Sequence, residues 1–301
     1  MSARDLSALF VLSALWGGSF LFMRVAAPAL GPVLLIELRV LIAGLALLGY
    51  ALVTRSVPAF RAHWWPFLVI GVINSALPFT LIATAELHLS ASLAATLNAT
   101  TPLFGALVAS VWLKEPLTRG KVLGLLIGLV GVMVLVGLGT LTLTPVVLLS
   151  IGASLLGALS YGMAAVYTKV RMKGVSPLAL ALYSQLLAAG ALLPAVPFSL
   201  PREAPSAVVI ASVLALALLS TAVAYLLYFG LIQRVGPTRA TMVTYLSPAF
   251  GLLWGVLLLH ESLSGWTIFG FGLILASVGL VTGLLPIGRA PINKTSLPGQ
   301  Q

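Results

Sequence analysis

Ten apolar stretches, each close to the length that spans a bilayer, follow one another along 301 residues with only short polar connections between them. They run 5–25, 33–53, 65–84, 91–113, 121–138, 147–169, 177–197, 207–230, 238–259 and 264–285. A helix needs about 20 consecutive apolar residues to cross the hydrocarbon core. Inside that core every backbone N–H and C=O has to be bonded within its own helix. The chain therefore reads as an all-α membrane protein of ten transmembrane helices, with no room for a water-soluble domain. Only 7% of its residues are charged, against roughly a quarter in soluble domains, too few to cover a water-facing surface.

The formal charge of +10 would suit a nucleic-acid binder if it were gathered on one module, but the basic residues sit singly or in small groups between apolar runs. With the N-terminus placed in the cytoplasm, 13 Lys and Arg fall inside, 2 fall outside (Arg24 and Arg202), and Arg39 lies within the second span. Cytoplasmic loops carry such an excess, and merging or splitting any span would reverse the sign of every later loop. The reading is a multi-pass protein of the inner (plasma) membrane, surrounded by lipid, with both termini cytoplasmic and no nucleic-acid partner. The first apolar run is already long enough to span, so Ala27-Pro28-Ala29 is not taken as a signal-peptide cleavage site. Cysteine is absent, which excludes disulfides, thiolate metal sites and cysteine nucleophiles.

Thr101-Pro102-Leu103-Phe104-Gly105 in the fourth span returns in the ninth, at an offset of 146, as Ser247-Pro248-Ala249-Phe250-Gly251. Glu115 and Glu261, and Gly124 and Gly270, keep that offset; Pro32 and Pro177 are 145 apart, Gly18 and Gly162 144 apart. The chain thus divides into one five-helix repeat over 1–140, a second over 141–286, and a tail, 287–301, whose polar, Pro/Gly-punctuated sequence reads as disordered. Five is odd, so the second repeat enters the membrane from the opposite side. Inverted repeats are the architecture by which transporters exchange inward- and outward-open states.

Trp16-Gly17-Gly18-Ser19-Phe20, the segment Leu38-Arg39-Val40-Leu41-Ile42-Ala43-Gly44 and the twice-occurring Pro…Glu-x-Leu-Thr/Ser…Gly pattern resemble the drug/metabolite transporter superfamily, in particular its EamA-type ten-helix exporters. The resemblance covers about residues 5–285, and within the family the chain looks like the YddG-type aromatic amino-acid exporters. It implies a transporter of small organic metabolites, amino acids including aromatic ones, working by alternating access around a central cavity. A multidrug or other-metabolite transporter of the same fold is the alternative, and a channel a further one. Arg39 stands at the family's second-span arginine. Tyr183-Ser184-Gln185 takes the corresponding place in the second half, so the repeat is not chemically symmetric.

Polar side chains in lipid face the bundle interior or a wet cavity. The fifth and tenth spans carry few of them and have glycines at small-xxx-small spacing, which lets helices pack closely; they are expected to be peripheral supports or a dimer face, in a monomer or homodimer. Asn98 and Thr101 share a face with Pro102, and Thr244 and Ser247 share one with Pro248. A helical proline frees the carbonyl four residues earlier, here those of Asn98 and Thr244. Those carbonyls either receive substrate or are satisfied by neighbouring hydroxyls as a plain kink. Trp16, Tyr161, Tyr225 and Tyr245 lie too deep for interface anchors and either stack on a planar solute or fill the core; Asn74, Tyr183 and Gln185 add polar groups. Glu37 and Arg39, two apart on a helix, point away from each other. Arg39 either receives a substrate carboxylate or clamps loop carbonyls near the outer mouth. The expected substrate site is therefore Trp16, Arg39, Asn74, Asn98, Thr101, Tyr161, Tyr183, Gln185, Tyr225, Thr244, Tyr245 and Ser247, taking a small molecule, with no catalytic group, metal or cofactor. The three histidines sit in loops or at span edges, and no Gly-x-Ser-x-Gly, His-Glu-x-x-His or phosphate-loop motif occurs, so an enzyme is not expected.

Overall fold

The structure, a computed structural model, describes residues 1–60, 64–137, 142–201, 203–236, 240 and 242–285. The tail read as disordered lies outside the described residues, as do Arg61, Arg202 and Arg239. Among the described residues ten apolar helices follow one another: α1 (Ala3–Leu30), α2 (Pro32–Val53), α3 (Trp64–Ala85), α4 (Ala91–Trp112), α5 (Arg119–Gly137), α6 (Pro145–Arg171), α7 (Pro177–Phe198), α8 (Ala207–Val235), α9 (Val243–Leu259) and α10 (Gly265–Thr282). Nine have the length and hydropathy to cross a membrane, and α9 has 17 described residues. No strand occurs among the described residues.

The starts of these helices follow from sequence chemistry. Ser2, Ser90, Thr144, Ser176, Ser206 and Ser264 each accept a hydrogen bond from the backbone N–H three residues on, satisfying one of the donors a helix start leaves free. Pro32, Pro145 and Pro177 stand in the first turn, where no N–H is needed.

Three helices are interrupted. α3 widens into a π turn over Val72–Ala76 and α8 over Ala215–Val223. Positions 72–76 shifted by the repeat offset fall on 218–222, so the same irregularity occurs in both halves. In α3 the turn precedes Pro78, which has no N–H to offer Asn74, and the Ser160 hydroxyl donates to the Ile73 carbonyl at 2.7 Å. In α8, where there is no proline, the Thr221 hydroxyl donates at 2.9 Å to the Leu216 carbonyl five residues back. α4 breaks between Asn98 and Thr101, whereas its repeat mate α9 runs unbroken through Pro248.

Two crossings show the internal symmetry most sharply. At Gly17 of α1 a Cβ would lie 2.6 Å from the Ser247 carbonyl oxygen and 2.7 Å from the Gly251 nitrogen of α9. At Gly162 of α6 a Cβ would lie 2.7 Å from the nitrogen of Gly105 in α4, the repeat mate of Gly251. Packing therefore pairs Gly162 with Gly17, and not with Gly18 as the motif spacing suggests. α5 and α10 pack on each other: a Cβ at Gly131 would sit 3.1 Å from the Gly270 carbonyl oxygen and one at Gly270 3.0 Å from that of Gly131. Gly124, Gly131 and Gly270 thus lie at the contact between these two helices.

Candidate functional site

A cavity of about 420 Å³ lies among α1–α4 and α6–α9, with no lining residue from α5 or α10. Its lining is largely a set of repeat-related pairs. Trp16/Tyr161, Phe20/Ala165 and Met23/Thr168 stand at the same offset as Pro32 and Pro177. Asn74/Ser220, Phe79/Tyr225, Ile82/Tyr228, Asn98/Thr244, Thr101/Ser247 and Pro102/Pro248 stand at that of Glu115 and Glu261. The ring contacts follow the same relation. Trp16 meets Tyr225 edge-on at 6.5 Å between centroids, and their mates Tyr161 and Phe79 meet edge-on at 6.1 Å. The cavity is thus lined by corresponding residues of the two halves.

Of the twelve residues expected at the site, nine line this cavity: Trp16, Arg39, Asn74, Asn98, Thr101, Tyr161, Tyr225, Thr244 and Ser247. Three do not. The Tyr183 hydroxyl donates to the Pro58 carbonyl, and its ring packs on Phe60 and Phe67. Gln185 is buried, with its amide donating to the Ser75 hydroxyl at 2.9 Å. The Tyr245 hydroxyl bonds that of Thr282, which turns the ring toward α10. Asn98 also differs from one expectation: its carbonyl, freed by Pro102, is taken by the Thr101 hydroxyl at 2.8 Å.

Arg39 is the one charged side chain among the described residues lining the cavity. It is 4% exposed. Its Nε donates to Thr221 Oγ1 at 3.0 Å, Nη1 approaches Met23 Sδ at 3.6 Å, and Cζ lies 3.6 Å from the centroid of the Phe79 ring. Thr221 Oγ1 can accept from Arg39 while donating to Leu216, so the π turn holds the guanidinium in place. The loop-clamping role open to Arg39 is filled by Arg24, whose Nη1 donates to the carbonyl of Glu86. The nearby Glu37 is buried, and its Oε2 has no hydrogen-bond partner among the described residues.

The two ends of the bundle are built differently. At one end Glu261 accepts from the backbone N–H of Ala91 at 2.7 Å and of Ser92 at 3.0 Å, capping α4 with the loop after α9. At the other, its repeat mate Glu115 pairs with Lys169 at 2.8 Å and Lys121 at 3.6 Å, and the Lys169 hydrogen bond holds its carboxyl below the usual range. Leu180, Ala181 and Ser184 of α7 line the cavity toward the Glu115 end. Leu35 and Ile36, the repeat mates of Leu180 and Ala181, are fully buried at the Glu261 end. The cavity lining therefore extends toward the Glu115 end and stops short of Leu35 and Ile36 toward the Glu261 end.

Sequence reading places Glu86 in a connection, yet it is fully buried, with both carboxylate oxygens lacking a partner among the described residues. Burial, reinforced by Glu261 and opposed by Arg24 and Arg39, holds its carboxyl well above the usual range. No group of three or more His, Cys, Asp or Glu that could hold a metal occurs among the described residues.

Known proteins resemble this chain in sequence and in fold. The EamA-like transporter family matches the chain twice, over residues 6–137 and 148–283. An uncharacterized transporter of Archaeoglobus fulgidus is 24% identical, over 88% of this chain and 94% of its own length. The uncharacterized inner membrane transporter YedA of Escherichia coli is 29% identical, over 91% and 89%. Protein PecM of Dickeya dadantii is 26% identical, over 93% of each. A solved crystal structure, 20% identical, shares the fold over 94% of this chain and 98% of that one, with a TM-score of 0.66.

Proposed function

This chain belongs to the EamA-like transporter family, and from that premise we propose that it carries small amino-acid-like metabolites, aromatic ones among them, across the inner membrane by alternating access around the central cavity. The main support is the lining by repeat-related pairs. A cavity lined by corresponding residues of two inverted halves can be opened to either side by exchanging their conformations, without moving the site itself. The unequal ends fit one state of that exchange, with the cavity lining extending further along α7 at the Glu115 end than along α2 at the Glu261 end. Trp16, Tyr161, Tyr225 and Tyr228 offer ring faces and edges, worth about 0.5–1.5 kcal/mol per aromatic contact beyond area burial. Hydroxyls and amides of Thr101, Ser247, Asn74 and Asn98 supply hydrogen bonds.

The reading is tested in proteoliposomes loaded with an aromatic amino acid. Labelled substrate should enter by saturable counterflow. Ala165→Trp, which puts a large ring into the space Ala165 now borders, should reduce that flux at least tenfold. Flux that does not saturate and is indifferent to Ala165→Trp would refute it.

A further inference from the structure

We propose that Arg39 is the substrate-carboxylate site, and that the cavity therefore takes planar organic anions bearing one carboxylate, for which an ammonium group is dispensable. The inference rests on the carrier reading above and sharpens its substrate class.

Its first basis is charge balance. An isolated buried charge is costly unless paired. Arg39 has no carboxylate within ion-pair distance among the described residues, and no described lining residue is acidic. Glu86 makes no ion pair with Arg39 among the described residues, and burial pushes its carboxyl up, away from the charged form. The second basis is internal. At the offset that relates Pro32 to Pro177 the mate of Arg39 is Ser184, with Gln185 beside it, and Thr221 is the mate of Ser75 at the offset of Glu115 and Glu261. Arg39 donates to Thr221 and Gln185 donates to Ser75, both joining the second helix of a repeat to a π segment. A neutral amide makes a contact of this kind in the other half, so a positive charge is not required to join the second helix of a repeat to a π segment. The third is geometry. Nε is engaged by Thr221, Nη1 reaches Met23, and one face is covered by Phe79. Among the described residues three of the five N–H donors remain unpaired, on the Nη edge of a guanidinium that borders the cavity. That edge is the one a carboxylate meets with two parallel hydrogen bonds, and Trp16 and Tyr161 line the same space for a planar body. An ammonium meets no carboxylate there, and the Asn98 carbonyl that proline would have freed for it is already taken.

The test uses three compounds of one shape: phenylalanine, 3-phenylpropionate, which lacks the amine, and phenethylamine, which lacks the carboxylate. Each is labelled and its uptake into proteoliposomes measured, counting only the part removed by Ala165→Trp. Phenylpropionate should be taken up within about threefold of phenylalanine and phenethylamine at least tenfold more weakly. Arg39→Gln should erase that order, and Arg39→Lys should keep it. Uptake of phenethylamine equal to that of phenylpropionate by the wild-type carrier overturns the inference, whatever the variants do, and leaves the carrier reading standing. If no compound shows an Ala165→Trp-sensitive component, the carrier reading falls as well.

Discussion

Arg39 and Thr221 meet at 3.0 Å, and Gln185 and Ser75 meet at 2.9 Å, two contacts that each join the second helix of one repeat to the π segment of the other. One half uses a cation where the other uses an amide. Arg39→Gln should therefore insert and fold, with a melting temperature no lower than the wild type. Thr221→Val should melt lower, because it leaves Arg39 Nε and the Leu216 carbonyl without their shared partner, at a cost of about 1–3 kcal/mol. Thermal unfolding in detergent, followed by tryptophan fluorescence, separates the two.

Gly17 and Gly162 bring backbones together where no Cβ fits. Gly17→Ala and Gly162→Ala should each destabilise the bundle by about 1–3 kcal/mol, the usual effect of overpacking. Gly152 has nothing within 4 Å of its notional Cβ, so Gly152→Ala should be neutral or stabilising by up to about 1 kcal/mol, as helix propensity dictates. Equal melting of all three would contradict the crossing geometry.

The Glu261 carboxylate caps the start of α4 from the loop after α9. Glu261→Ala removes both hydrogen bonds to the start of α4, a loss of about 0.5–2 kcal/mol for a helix cap. Opening of that end should rise accordingly. The measurement is the rate at which a thiol reagent modifies Ser92→Cys, now buried. The rate should increase roughly threefold to thirtyfold, taking about 1.4 kcal/mol per factor of ten.

The buried Glu86 carboxyl sets a pH dependence with a definite sign. Its carboxyl titrates above the ordinary range in the folded protein, so the folded state binds a proton that the unfolded chain has released. Stability is then fullest below the normal glutamate range and falls as pH rises toward the raised folded value. The groups acting on it are Arg24, Glu261 and Arg39. Glu86→Gln, which keeps the shape without the proton, should lose that slope. Melting curves recorded across pH on both proteins provide the check; parallel slopes would count against a buried neutral Glu86.

Orientation can be read directly because the chain has no cysteine of its own. Cysteines at Ser56 and Gly174 should react with an impermeant reagent from the cytoplasmic side, and those at Thr142 and Ser206 from the outside. Outside labelling at Gly174 would reverse the assignment drawn from the Lys and Arg distribution.

Helix number and the repeat are legible without coordinates because both are one-dimensional properties. Apolar length is imposed by bilayer thickness, and the spacing of Thr101-Pro102 and Ser247-Pro248 is a matter of counting. Most of the cavity lining is legible for a similar reason, since polar and aromatic side chains within spans have few favourable places to go in lipid. Phe79 carried a signal that could have found it, standing at the repeat offset before Tyr225.

Side-chain direction, by contrast, required the folded chain. Ser184 faces the cavity and Gln185 does not, although they are neighbours, because one residue turns a helix by about 100°. Spacing alone does not tell which way a helix is rotated, least of all where π turns shift the register of α3 and α8. The same holds for Glu86, which counts as a connection residue along the chain yet is enclosed by elements distant in sequence, and for Arg39, whose surroundings come from α1, α3 and α8. Ten spans, two related halves and an inventory of polar groups follow from the order of residues. That a single unpaired guanidinium points into the space those halves enclose follows from packing, because burial and partnership depend on segments brought together from across the chain.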